Sequence, residues 1–123
     1  MKKKYIEITH EELRNILDPI YPDVHISYIQ FKYRLYEDKA VMKFLARNGV
    51  DDLNYIKNEH MCGHFALHLA NDAKKKLKMP AFGLLVNAYH ALNVYVNIDK
   101  VAREVEPQND KIVDLNNELN MII

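Results

Sequence analysis

The run Cys62-Gly63-His64-Phe65-Ala66-Leu67-His68-Leu69-Ala70-Asn71-Asp72-Ala73-Lys74-Lys75-Lys76-Leu77-Lys78-Met79-Pro80 decides how the rest of the chain is read. Phe65, Ala66, Leu69, Ala70, Ala73 and Leu77 fall at spacings of one, three and four, which places them on one broad face of a helix from about Met61 to Lys78. Pro80 has no backbone N–H to donate and stops it. Cys62 therefore lies in the first turn. Beyond the proline come three short runs rich in β-branched and aromatic residues: Phe82 to Val86, Tyr89 to Ile98 and Lys100 to Val105. The gaps between them are too short for crossover helices, so an antiparallel meander packed on the Cys62 helix is expected.

Upstream, Thr9-His10-Glu11-Glu12 has the form of a capping box and opens a short helix carrying Leu13, Ile16 and Leu17. Pro19 and Pro22 should end it near Asp18. Ile29, Phe31, Tyr33 and Leu35 alternate with Gln30, Lys32 and Arg34, the period of a strand. Val41, Phe44 and Leu45 fit one face of a helix from about Asp38 to Arg47, ended by Asn48 and Gly49, and Asp51 can cap a shorter helix containing Leu53 and Ile56. The tail from Lys111, with Ile112, Val113, Leu115, Leu119, Ile122 and Ile123, fits a strand or a helix equally. The expected architecture is one α+β domain over residues 1–123: N-terminal helices, then a central helix carrying the cysteine, packed on a small antiparallel sheet.

Composition narrows the function classes. Seventeen Lys and Arg offset seventeen Asp and Glu, so no global field draws the protein to nucleic acid or an anionic membrane. Local clusters remain at Lys2 to Lys4 and at Lys74, Lys75, Lys76 and Lys78; the second reads as a solvated helix end, where cations complement the dipole. A single cysteine excludes an internal disulfide and suits a reducing, cytoplasmic compartment. No stretch approaches the roughly 18 apolar residues of a membrane span, and Glu7, His10, Glu11 and Glu12 follow the basic start where a signal core would lie. The chain reads as mature and soluble, with no cofactor.

The chemistry available is a thiol, an imidazole and a carboxylate. The first turn of a helix stabilises a thiolate through unpaired amides and the positive dipole end, so position makes Cys62 a candidate nucleophile. The plainer reading of a lone cysteine is a small core hydrophobe. If Asn97, Ile98 and Asp99 form a three-residue turn, Val96 pairs with Lys100, Val94 with Ala102, Leu92 with Glu104 and His90 with Glu106, because opposed residues keep a constant index sum. His90 and Glu106 would then share a face, and the carboxylate could fix the imidazole tautomer. A two-residue turn would put Pro107 opposite His90 instead.

Cys62-Gly63-His64-Phe65-Ala66, the helix ending in Lys-Met-Pro-Ala-Phe-Gly, the strand His90-Ala91-Leu92-Asn93-Val94-Tyr95-Val96 and the ending Val105-Glu106-Pro107-Gln108 together resemble the transglutaminase-like branch of the papain-fold cysteine proteins, and its small phage and archaeal members in particular. The resemblance covers residues 58–108. It implies a papain-like core with Cys62 as nucleophile, His90 as general base and Glu106 as the orienting acid, working as a peptidase, amidase or transglutaminase-like acyltransferase on a peptide or protein amide. Leu92 stands where the family commonly has tryptophan, Glu106 where aspartate is usual, and Gly63-His64 where an acidic pair is often found. For the oxyanion the Cys62 N–H is one donor; Tyr55, Asn58 or Gln108 could supply the second.

Two other readings compete. His60, Cys62, His64 and His68 form a His-x-Cys-x-His-x-x-x-His run, and His64 and His68 share a helix face. Structural zinc usually draws ligands from separate elements, so metal is not expected here. The fold could also serve without catalysis, as a binding module for a protein, peptide or glycan, using the tyrosines between Tyr21 and Tyr36 together with Phe31. The same tyrosines would equally fill a core with half-buried rims.

Overall fold

The computed structural model describes residues 4–47, 62–86, 91–105 and 120–123, with side chains in the cysteine helix from Ala66 onward. Within them the chain runs β1 (Tyr5–Thr9), α1 (His10–Ile20), β2 (His25–Ser27), β3 (Lys32–Tyr36), α2 (Asp38–Arg47), α3 (Cys62–Lys76), β4 (Phe82–Val86), β5 (Ala91–Val96), β6 (Ala102–Val105) and β7 (Asn120–Ile122). This is an α+β fold, and the helix that Cys62 opens packs on β4 and β5.

β1 and β3 form an antiparallel ribbon, and a second sheet has the order β2-β7-β4-β5-β6. The meander β4-β5-β6 is antiparallel as expected. The sheet as a whole is mixed, because β7 joins β4 antiparallel but β2 parallel. The undecided tail thus contributes a strand, inserted between β2 and β4.

Strand alternation divides the core in two. Leu85, Leu92, Val94, Val96 and Met121 face α1 and the β1–β3 ribbon, meeting Leu13, Leu17, Tyr33 and Leu35. Phe82 and Tyr95 face α2 and α3, meeting Val41, Phe44, Leu69, Ala70, Ala73 and Leu77. The Phe82 and Tyr95 rings stack at 6.0 Å, and Phe44 meets Phe82 edge-on. Three alanines on the buried face of α3 let the helix sit close to the strands.

Several local expectations change. The capping box is present, with the Glu12 N–H donating to Thr9 Oγ1 and the Thr9 N–H to Glu12 Oε1. The helix nevertheless runs through Pro19 to Ile20, because a proline in the last turn forfeits one bond without preventing the next, from the Tyr21 N–H to the Leu17 carbonyl. The strand expected from Ile29 begins at Lys32. Ahead of it, Ile29 is 58% exposed and Phe31 85% exposed, since this segment is held as a loop by the His10 N–H on the Phe31 carbonyl and by Gln30 Nε2 on the Lys32 carbonyl. β1 was not expected; its Ile6 and Ile8 give only two apolar alternations, and pairing with β3 makes the strand. The described tyrosines from Tyr21 to Tyr36 fill the core or its rim: Tyr33 and Tyr36 are buried, and Tyr21 and Tyr28 pack half-buried against the cluster that holds Tyr33.

The β5–β6 turn also differs. The turn residues are Ile98, Asp99 and Lys100, flanked by the Asn97 N–H donating to the Val101 carbonyl. Lys100 takes a positive φ of 63°, as the last residue of a three-residue hairpin loop does. Asn97 Oδ1 accepts from the Asp99 and Val101 N–H groups, which favours this turn over the one starting at Asn97. Val96 therefore pairs with Ala102 and Val94 with Glu104, two residues on from the expected partners Lys100 and Ala102.

The hairpin is clamped to α2 by Asp38. Its carboxylate accepts from Tyr95 Oη at 2.8 Å, from Asn97 Nδ2 at 3.1 and 3.2 Å, and from Arg103 Nε at 3.0 Å. Burial opposes its charge, but the hydrogen bonds from Tyr95 and Asn97 and the Arg103 guanidinium outweigh this and hold its pKa below the usual 3.8. Asp38→Ala should cost about 1–2 kcal/mol, at the low end because Asp38 and Arg103 keep solvent contact. A native pKa below the unfolded one gives stability that is present above about pH 4 and lost as pH falls through the native value. Urea titrations from pH 6 to pH 2.5 should show a shallower acid loss in Asp38→Asn than in the wild type; parallel curves would exclude the clamp.

Candidate functional site

Three elements have a terminus at the same end of the five-stranded sheet. α3 runs alongside β5 in the same direction: Asn93 Nδ2 donates to the Ala66 carbonyl at 2.8 Å near the start of both, and Leu77 packs with Tyr95 near the end of both. Beyond that end, Tyr36 Oη holds the Lys78 carbonyl and the Val96 N–H donates to the Ala81 carbonyl. β6 runs the other way and finishes at Val105, opposite Asn93. The first residue of α3, Cys62, the first residue of β5, Ala91, and the last of β6, Val105, are therefore at the same end of the sheet. A helix N-terminus there offers free amides and a positive dipole end.

The Cys62 backbone opens α3, while its side chain lies outside the described residues. His90 and Glu106, the remaining catalytic candidates, and Tyr55, Asn58 and Gln108, the candidate oxyanion donors, also lie outside them, as do the short helix expected after Asp51 and the helix end at Asn48 and Gly49. The described β5–β6 ladder bears on the expected register. Its index sum is two larger than the one that pairs His90 with Glu106, for the turn chemistry given above. The sum keeps its parity, so even-numbered positions of β5 and β6 still share a face. In β5 that face, with Leu92, Val94 and Val96, packs toward α1, whereas Asn93 and Tyr95 are directed at the helices α3 and α2.

Asn93 is the residue that the spacing argument undervalued. It is fully buried on β5, and its amide donates to two carbonyls, Ala66 on α3 at 2.8 Å and Gly83 on β4 at 3.1 Å. Its Oδ1 has no hydrogen-bond partner among the described residues. The signal was a lone polar residue in an otherwise apolar strand, Ala91-Leu92-Asn93-Val94-Tyr95-Val96.

The lysine cluster at the end of α3 is not uniformly solvated. Lys75 and Lys76 are exposed, but Lys74 Nζ donates to Gln30 Oε1 at 2.6 Å and to the Pro80 carbonyl at 3.4 Å. Burial lowers its pKa to about 8. Of the expected metal run, His60 and the side chains of Cys62 and His64 lie outside the described residues; His68 is exposed and lies 3.7 Å from Asp72. No group of three metal-ligating side chains occurs among the described residues. No helix among them is long and apolar enough to cross a membrane.

No family model and no curated protein matches the sequence. Among solved structures the chain is similar to the PSL1a–E64 complex, with a TM-score of 0.75 and 15% identity, over 95% of this chain and 50% of that one. The likeness shows the fold. The chain spans about half the length of that neighbour.

Proposed function

We propose that this chain is a cysteine-dependent acyl-transfer protein acting on a peptide or protein amide, with Cys62 as nucleophile, His90 as general base and Glu106 as the acid that orients it. The observation that carries the reading is the convergence of the α3 start, the β5 start and the β6 end, the three places next to which the sequence puts thiol, imidazole and carboxylate. The resemblance over residues 58–108 assigns the same three roles. The structural neighbour was solved with E64 bound, which makes E64 a natural probe for this chain too.

In the proposed reaction His90 takes the thiol proton and the Cys62 sulfur attacks the amide carbon. Collapse breaks the C–N bond, the imidazolium gives its proton to the leaving amine, and a thioester remains. Water completes a hydrolysis; a primary amine completes a transfer. The Cys62 N–H is one donor to the oxyanion, with Tyr55, Asn58 or Gln108 as the second. The reading requires the chain ahead of Ala91 to leave the alternation of β5, because continued alternation would turn position 90 toward α1.

The test is alkylation of Cys62 by iodoacetamide across pH, followed by mass spectrometry. An activated thiol reacts as though its pKa were well below the free value of about 8.5, and E64 should add to Cys62 in the same protein. A profile centred near the free value, with no E64 adduct, refutes the enzyme reading.

One observation favours a second reading, a non-catalytic binding module on the same fold. Phe31 is 85% exposed and Ile29 beside it 58% exposed, a pair of large apolar side chains presented by one loop. Loss of biological function in Phe31→Ser, with Cys62→Ala fully functional, would select that reading.

A further inference from the structure

Asn93 sits where the sheet meets the cysteine helix, and its contacts are not those of an ordinary core residue. A fully buried amide in an apolar strand bears a desolvation cost unless all its groups are paired. Here both donated bonds go to backbone carbonyls on other elements, and the acceptor Oδ1 has no partner among the described residues. A leucine would fill similar space without leaving a buried acceptor unpaired, so stability alone is a poor reason for asparagine at this position.

What the amide does provide is register. Apolar packing of Ala66, Leu69, Ala70 and Ala73 fixes how closely α3 approaches the sheet, but apolar contact is non-directional, and three of these four side chains are alanines. The bond from Asn93 Nδ2 to the Ala66 carbonyl is directional, and its partner bond to the Gly83 carbonyl anchors the amide to β4. Ala66 is one helical turn from Cys62, about 6 Å along the axis, so this bond sets the height of the helix N-terminus over the sheet.

We infer that Asn93 is a positioning residue for the thiol site: it pins the first turns of α3 to β4 and β5, fixing where Cys62 stands relative to the strand ends. This rests on the thiol reading proposed above. It accounts for an asparagine directed at α3 one turn from the cysteine, and for a buried oxygen without a partner among the described residues.

The experiment measures the iodoacetamide pH profile of Cys62 together with urea unfolding for the wild type, Asn93→Leu and Asn93→Thr. Asn93→Leu should keep or raise the urea midpoint while moving the alkylation midpoint up by about one pH unit, about tenfold less thiolate at neutral pH. Asn93→Thr retains one hydroxyl donor, should fall between the two, and carries the test if the leucine variant does not fold. A wild-type profile already at the free-thiol value overturns the thiol reading, and this inference with it. A lowered wild-type midpoint that both variants share, or one that shifts only in proportion to lost stability, overturns the role of Asn93 alone.

Discussion

Gly83→Ala should destabilise the protein by about 3 kcal/mol or more, the upper end of what overpacking a core costs. Gly83 lies in β4, and a Cβ built there meets the Ile122 carbonyl oxygen at 2.0 Å, the Ile123 Cα at 2.6 Å and the Ile122 carbonyl carbon at 2.9 Å. All three are backbone atoms of the β7 segment, so no side-chain rotation relieves the clash. Alanine would ordinarily gain up to about 1 kcal/mol over glycine in a strand interior, and this only partly offsets it. The chain can respond by moving β7 away, but that releases the bonds from Tyr33 Oη and the Ile29 N–H to the Ile123 carbonyl, and uncovers Met121. Urea unfolding should show a lowered midpoint, and hydrogen exchange should show lost protection in residues 120–123 first. A variant within about 0.5 kcal/mol of the wild type would show that β7 does not press on β4 in this way.

The second large effect concerns activity. If Cys62 forms the thioester, Cys62→Ala abolishes turnover, since no other residue of the set can take its place. Ammonia release from a glutaminyl peptide, measured with and without a primary amine, should fall at least about a thousandfold, to background. His90→Ala should be nearly as damaging, because the thiol loses its base and the leaving amine its acid. Glu106→Gln should do less, keeping the shape and an oxygen acceptor while losing the charge that supports the imidazolium. A wild type without amide turnover, or a Cys62→Ala variant that keeps it, would end the enzyme reading, and the Phe31 loop would become the surface to pursue.

Much of the fold was legible because it depends on local periodicity. The alanine- and leucine-rich face of α3, the α2 boundaries and the β4 run each carry their own signal, and the Thr9–Glu12 box marks a helix start in four residues. What stayed hidden depends on partners far away in sequence. β1 becomes a strand by pairing with β3, and β7 by lying between β2 and β4, and neither has enough alternation to declare itself. The β5–β6 register turned on one residue. Asn97 looked like turn material, and it is, but its side chain caps the turn from just outside instead of entering it. For the site, the sequence offered the residue types and their order; the pleat of β5, which directs Asn93 and not its even-numbered neighbours at α3, could be read only from how the core divides. Asp38, read only as the start of the second helix, gave no sign in the sequence that Tyr95, Asn97 and Arg103 converge on it.

The insertion of β7 has a consequence for synthesis. A ribosome delivers residues in order, and β2 emerges about a hundred residues before the strand it pairs with in parallel. Until β7 arrives, one edge of β4 stays open, and Leu85 and the buried faces of Leu13 and Leu17 lack the cover that Met121 and Ile123 provide. Long-range pairing is slow because its loop entropy is spent before its contacts form. The nascent chain thus carries an unpaired apolar edge until residues 120–123 have emerged, the kind of surface on which chaperones act and at which chains aggregate. Yield in cells should therefore respond to translation rate and chaperone supply more steeply than the stability of the finished protein suggests.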